Sequence, residues 1–135
     1  MWHGSACTQL LVCGRRSLAD QGFAAAQYRL GVGYATGLGV AQDYVEAAKW
    51  YRLAAEQGDS DAQYRLGFLY TSGQGVPRDY VRAHMWLSLS VTKGTEWFKT
   101  TVGGIRDTVA KRMSPEQIAE AEKLAHEWKP AKLPP

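Results

Sequence analysis

The sequence predicts an all-α protein in which antiparallel helix pairs stack into one curved layer. Three observations carry this expectation. The chain repeats itself at an offset of 36 residues, each copy holds two apolar runs at helical spacing, and capping residues and glycines punctuate those runs. Residues 26–58, AQYRLGVGYATGLGVAQDYVEAAKWYRLAAEQG, align with residues 62–94, AQYRLGFLYTSGQGVPRDYVRAHMWLSLSVTKG, with 17 of 33 positions identical and no gap. A repeat of this length is one supersecondary unit that cannot bury its apolar face alone, so the copies must stack.

Ahead of the first full copy, residues 17–22 (SLADQG) align with 53–58 (LAAEQG), so 1–22 reads as a degenerate partial repeat. Gly14 stands there where Trp50 and Trp86 stand in the full copies. In the copy spanning 23–58, Ala26, Leu30 and Tyr34 share one helical face. Gly31 beside that face lets a neighbouring helix approach, and Gly37 is placed to end the helix in the left-handed conformation. Asp43 with Glu46 predicts a capping box that opens a second helix carrying Ala47, Trp50, Tyr51 and Ala54, closed by Gly58.

The copy spanning 59–94 repeats the plan with Ala62, Leu66, Tyr70, Gly73, Asp79, Ala83, Trp86, Leu87 and Gly94. Here the box is expected at Ser60 with Gln63, because Arg82 replaces the acidic partner behind Asp79. Residues 95–130 depart from the repeat. Phe98, Val102, Ile105, Val109 and Met113 form one helical stripe, weakened by Gly103 and Gly104. Ser114, Pro115 and Gln117 then mark a clean helix start. Ile118, Ala121, Leu124, Ala125 and Trp128 carry that last helix, and Pro130 stops it. The pair is expected to cap the stack, leaving 131–135 as a loose tail.

The order Ala-Gln-x-x-Leu-Gly-x-x-Tyr, then Gly-x-Gly-Val-x-x-Asp, then Ala-x-x-Trp and a closing Gly resembles the Sel1-like repeat, and does so twice over residues 24–94. That resemblance implies a right-handed α/α superhelix related to tetratricopeptide repeats. The phrase RMSPEQIAEAEKLAHEW resembles the terminal cap of many bacterial members. It also implies a protein–protein interaction scaffold that holds a peptide or loop in a concave groove. A cysteine-rich branch linked to β-lactamase activity is not matched, since the repeats here contain no cysteine.

The formal net charge is +3 over 135 residues, and the only adjacent basic pairs are Arg15–Arg16 and Lys111–Arg112. A basic face of the kind that tracks nucleic acid is missing, so no nucleic-acid partner is expected. Cys7 and Cys13, spaced C-x5-C near the start, fit neither a zinc site nor a thioredoxin motif and read as reduced thiols. No apolar run is long enough to span a bilayer. Leu10, Leu11 and Val12 lack the basic stretch that precedes the apolar part of a secretory signal, so a cytoplasmic location is expected.

Catalytic constellations are absent from the pattern. The pairs Gly37/Gly39 and Gly73/Gly75 follow helices rather than strands and lack a third glycine, which makes them interhelical turns and implies no cofactor. His3, His84 and His126 are scattered, with no metal expected, and His84, at the position of Ala48, reads as a helix-surface residue. The chain is therefore not expected to be an enzyme. The alternatives to a scaffold are a hydrolase site in the groove, or a self-assembling module whose exposed end pairs with a second copy. Off the core stripe of the first helices lie Tyr28, Arg29 and Val32, matched by Tyr64, Arg65 and Phe68. These six are the candidate partner-binding residues, suited to a protein or peptide partner.

Overall fold

The computed structural model describes residues 18–131. Cys7, Cys13, His3, Gly14, the apolar stretch Leu10–Val12 and most of the expected partial repeat lie outside the described residues, as does the tail beyond 131. Every element within the described residues is helical. Leu18–Asp20 are helical and are followed by a turn at Gly22; then follow α1 (Ala24–Thr36), α2 (Tyr44–Glu56), α3 (Ser60–Ser72) and α4 (Tyr80–Lys93). A π-helical turn, Phe98–Val102, leads into α5 (Gly103–Ala110), and α6 (Pro115–Glu127) completes the series. Each of α1 to α4 packs on the next, and α4 is also covered by α5 and α6.

Both first helices end as their sequence demands. Gly37 and Gly73 adopt φ of 78° and 74°, and their amides return to the Gly33 and Leu69 carbonyls. The second helices open on Asp43 and Asp79, whose carboxylates accept the amides of Val45 and Glu46 and of Arg82. The expected Asp43–Glu46 box is not formed. The Asp43 amide already donates to the Tyr34 carbonyl at 2.8 Å, and the Asp79 amide does the same to Tyr70 at 3.0 Å, so no donor remains for a side chain at the third position.

The box expected at Ser60 is a second correction. Asp59 is the cap of α3, accepting the Ala62 amide at 2.9 Å, while Gln63 turns inward and is 1% exposed. Its Nε2 donates to the Ala55 carbonyl at 3.1 Å, and Gln27 does the same to Ala19 at 3.1 Å in the copy before. One buried glutamine per unit thus fastens the start of a first helix to the last turn of the preceding helix. The backbone ending that turn is also repeated: Gly22 and Gly58 have φ of 94° and 98° and donate to the Ala19 and Ala55 carbonyls.

Between helices the core is dense with small residues. Ala47, Ala54, Ala55, Ala62 and Ala83 are fully buried around Leu66, Tyr51, Tyr70 and Leu87. Trp50 sits in a separate cluster with Ala19, Ala26 and Leu30, whereas Trp86 belongs to the main core. The C-terminal elements extend that core through Val102, Val109, Met113 and Ala121, and Trp128 meets Trp86 edge-on at 6.1 Å. The single helix expected over 98–113 is divided. The β-branched Thr100, Thr101 and Val102 followed by two glycines hold an α-helix weakly, and the chain takes a wider π turn there before α5 begins. Ser114 and Gln117 form the full reciprocal capping box at the start of α6.

Candidate functional site

The six candidate partner-binding residues come in two matched triplets on α1 and α3, and their surroundings differ. Tyr28 is half-buried, its ring 5.9 Å from that of Tyr51 with the planes tilted by 37°. Val32 is half-buried against the core and Arg29 is exposed. On α3, Tyr64 is half-buried, and its ring meets Trp97 at 6.1 Å and Phe98 at 6.2 Å, both edge-on. Phe68, one turn further along α3, is 46% exposed, and Trp97 is 54% exposed.

Arg65 joins the two triplets. Its guanidinium lies 5.5 Å from the centre of the Tyr64 ring, and the Tyr28 phenol of the preceding copy is near enough to act on its charge. Burial works against the Arg65 charge, but the neighbouring Tyr28, Tyr51 and Tyr64 phenols outweigh it and raise its pKa. Beneath them the Tyr51 phenol is pushed up to about 12, mainly by burial, with the Arg65 charge opposing. The face thus carries an exposed cation set against the Tyr64 ring, with Arg29 as a second exposed cation on α1.

Trp97 escaped the sequence reading because it lies after Gly94, where the repeat has ended. The signal available was an aromatic pair, Trp97–Phe98, immediately beyond a repeat boundary.

On the other side of α4 a pocket of about 470 Å³ is lined by His84, Ser88, Arg106, Asp107 and Glu122. His84 is 5% exposed, which corrects the helix-surface reading: α5 and α6 fold over the position, as the repeat stack buries Ala48. Burial first, and then Arg106, lowers its pKa below the usual histidine value, against Glu122 and Asp107. Ser88 Oγ stands 3.4 Å from His84 Nδ1, at the long limit for a hydrogen bond. Among the described residues no group of three or more His, Cys, Asp or Glu could hold a metal, and no helix is long and apolar enough to cross a membrane.

The Sel1 repeat matches this chain over residues 24–59 and 60–95. No curated protein matches it significantly. Among solved structures the chain is similar to a protective antigen of uropathogenic Escherichia coli strains that displays an SLR fold. The two share 39% identity at a TM-score of 0.77, over 84% of this chain and 24% of that one. It is also similar to a Sel1 repeat protein from Oxalobacter formigenes, with 31% identity and a TM-score of 0.65, over 84% of this chain and 47% of that one. The chain therefore spans less than half the length of either structure. Its fold is the α/α solenoid that these proteins share.

Proposed function

Because the chain belongs to the Sel1 repeat family, whose members are generally protein–protein interaction modules, we propose that it is a scaffold holding a peptide or loop of a partner along α1 and α3. The observation that carries the reading is the cluster of Arg65, Tyr64, Phe68 and Trp97. Two large aromatic side chains, Phe68 and Trp97, stand about half exposed near a guanidinium set against the Tyr64 ring. Aromatic and arginine side chains are the residues enriched at binding hot spots, and a pre-positioned cation loses little freedom on binding.

The partner segment is acidic, or a chain end, with an apolar residue between its charges. Arg65 and Arg29 supply two cations on successive first helices, and Phe68 with Trp97 supplies the apolar seat.

The test begins with affinity capture from lysate and identification of the bound protein by mass spectrometry. Binding of that partner is then measured for Arg29→Glu with Arg65→Glu, and separately for Phe68→Ala with Trp97→Ala. Each pair should weaken binding at least about tenfold, a loss of about 1.4 kcal/mol, and the arginine pair should remove its salt dependence. Circular dichroism should show unchanged helicity. Normal binding by both variants would remove the proposed face.

A further inference from the structure

Gln27 and Gln63 occupy the same place in successive copies, yet only one of them is satisfied. In the first copy Gln27 Oε1 accepts the Gln57 Nε2 amide at 2.7 Å. In the second copy Lys93 stands where Gln57 stands, and Gln63 Oε1 is buried with no hydrogen-bond partner. A buried amide oxygen without a donor is costly and uncommon, and such a group points to a missing partner.

A pocket of about 380 Å³, within the range of small-ligand sites, opens at that place. Gln63, Leu89, Lys93, Ala125, His126 and Trp128 line it, between α3, α4 and α6. The Lys93 ammonium and the edge of the Trp128 ring both come within 3.9 Å of where a Cβ on Gly58 would stand, so both lie against that residue. Among the described residues Lys93 forms no ion pair with an acidic side chain. The Ala131 amide closes back onto the Glu56 carbonyl, and that keeps the segment after α6 against the end of α2.

We propose that this pocket binds a small carboxylate whose neighbouring nitrogen carries a proton: the last residue of a peptide, or a free α-amino acid. The nitrogen donates to Gln63 Oε1, as Gln57 does to Gln27 in the first copy. The carboxylate faces the Lys93 ammonium, with His126 beside it. An apolar side chain lies along Leu89, Ala125 and Trp128. This site is on the second-helix side of the stack and does not depend on the face assigned to the partner above.

Titrations of the full chain with N-acetyl-leucine, leucine and N-acetyl-leucinamide, followed by the Trp128 indole N–H resonance, test it. N-acetyl-leucine alone shifting the resonance identifies a peptide terminus, and leucine alone a free amino acid; either supports the site. The leucinamide should bind at least about tenfold more weakly, because it lacks the carboxylate. Lys93→Gln recreates the first copy's pair, so it should abolish binding and raise Tm by about 2–6 °C. Lys93→Met removes the charge without supplying a donor, and should abolish binding without raising Tm. Equal binding of the leucinamide, retained binding by Lys93→Gln, or no saturable shift with either carboxylate would overturn the proposal.

Discussion

Gly31 lies directly beneath the ring of Tyr51: a Cβ at Gly31 would stand 2.6 Å from Tyr51 Cδ1. The ring has nowhere to go, since Tyr51 is 2% exposed and Tyr28 covers it. Gly31→Ala should therefore destabilise the protein by about 1–3 kcal/mol, the usual cost of overpacking, despite alanine's better helix propensity. Gly67→Ala should behave alike, because a Cβ there would meet Leu87 Cγ at 2.8 Å and the Ala83 carbonyl at 3.2 Å. Gly104→Ala is the control. Nothing lies within 4 Å of its Cβ position, so the same change should stabilise by about 0.5–1 kcal/mol. Urea unfolding of the three variants checks the sign of each.

Trp50 and Trp86 are each 6% exposed, and removing either should cost about 3–5 kcal/mol. Their partners differ, and this allows a finer test. Trp86 meets Trp128 edge-on, so a double-mutant cycle between Trp86→Ala and Trp128→Ala should return a coupling of about 0.5–1.5 kcal/mol. Trp50 lies in the other cluster and should show no coupling to Trp128. Additive losses at Trp86 and Trp128 would show that the ring contact contributes nothing of its own.

Ending the chain after Gly94 should yield aggregating protein. Val102, Val109, Met113 and Ala121 would be lost from the main core, and the outer side of α4, with Trp86 beside it, would face water. Light scattering of the 1–94 fragment checks this. A soluble, monomeric and fully helical fragment would mean that α5 and α6 are dispensable.

Stability should fall on mild acidification through His84. Its folded pKa lies below the unfolded value of 6.5, so the unfolded chain binds the proton more readily. The contribution is complete above pH 6.5, and it is lost as pH falls through the folded pKa. His84→Ala, which installs the residue of the first copy, should flatten the profile between about pH 7.5 and 5.5. Denaturant midpoints across that window, for both proteins, measure the difference. An unchanged slope would assign the pH dependence to other groups.

The helices and their order were legible because the 36-residue offset supplies each reading twice, so that Leu30 supports Leu66 and Gly37 supports Gly73. The capping details were less legible. A sequence shows that Gln63 follows Ser60 by three residues, but not that the Ala55 carbonyl lies closer to its amide than the start of its own helix does. His84 was misjudged for a related reason: its burial depends on α5 and α6, which have no counterpart in the repeat against which to compare. Of the candidate site, the residue types and the pairing of α1 with α3 could be read directly. The approach of Arg65 to the Tyr28 phenol of the copy before, and the place of Trp97, arise from packing between units and have no signature within one unit.

The glutamine fastening has a consequence for how such a chain grows. Each unit carries a plug, the Gln27 or Gln63 amide, and a socket, the Ala19 or Ala55 carbonyl of the preceding helix end. A further copy of residues 23–58 placed after Gly58 would bring its own plug to an existing socket and offer a fresh socket to the plug at Gln63. Lengthening by duplication thus requires no new junction to be invented, and the 17 identities between the two copies fit a history in which that step was taken once already.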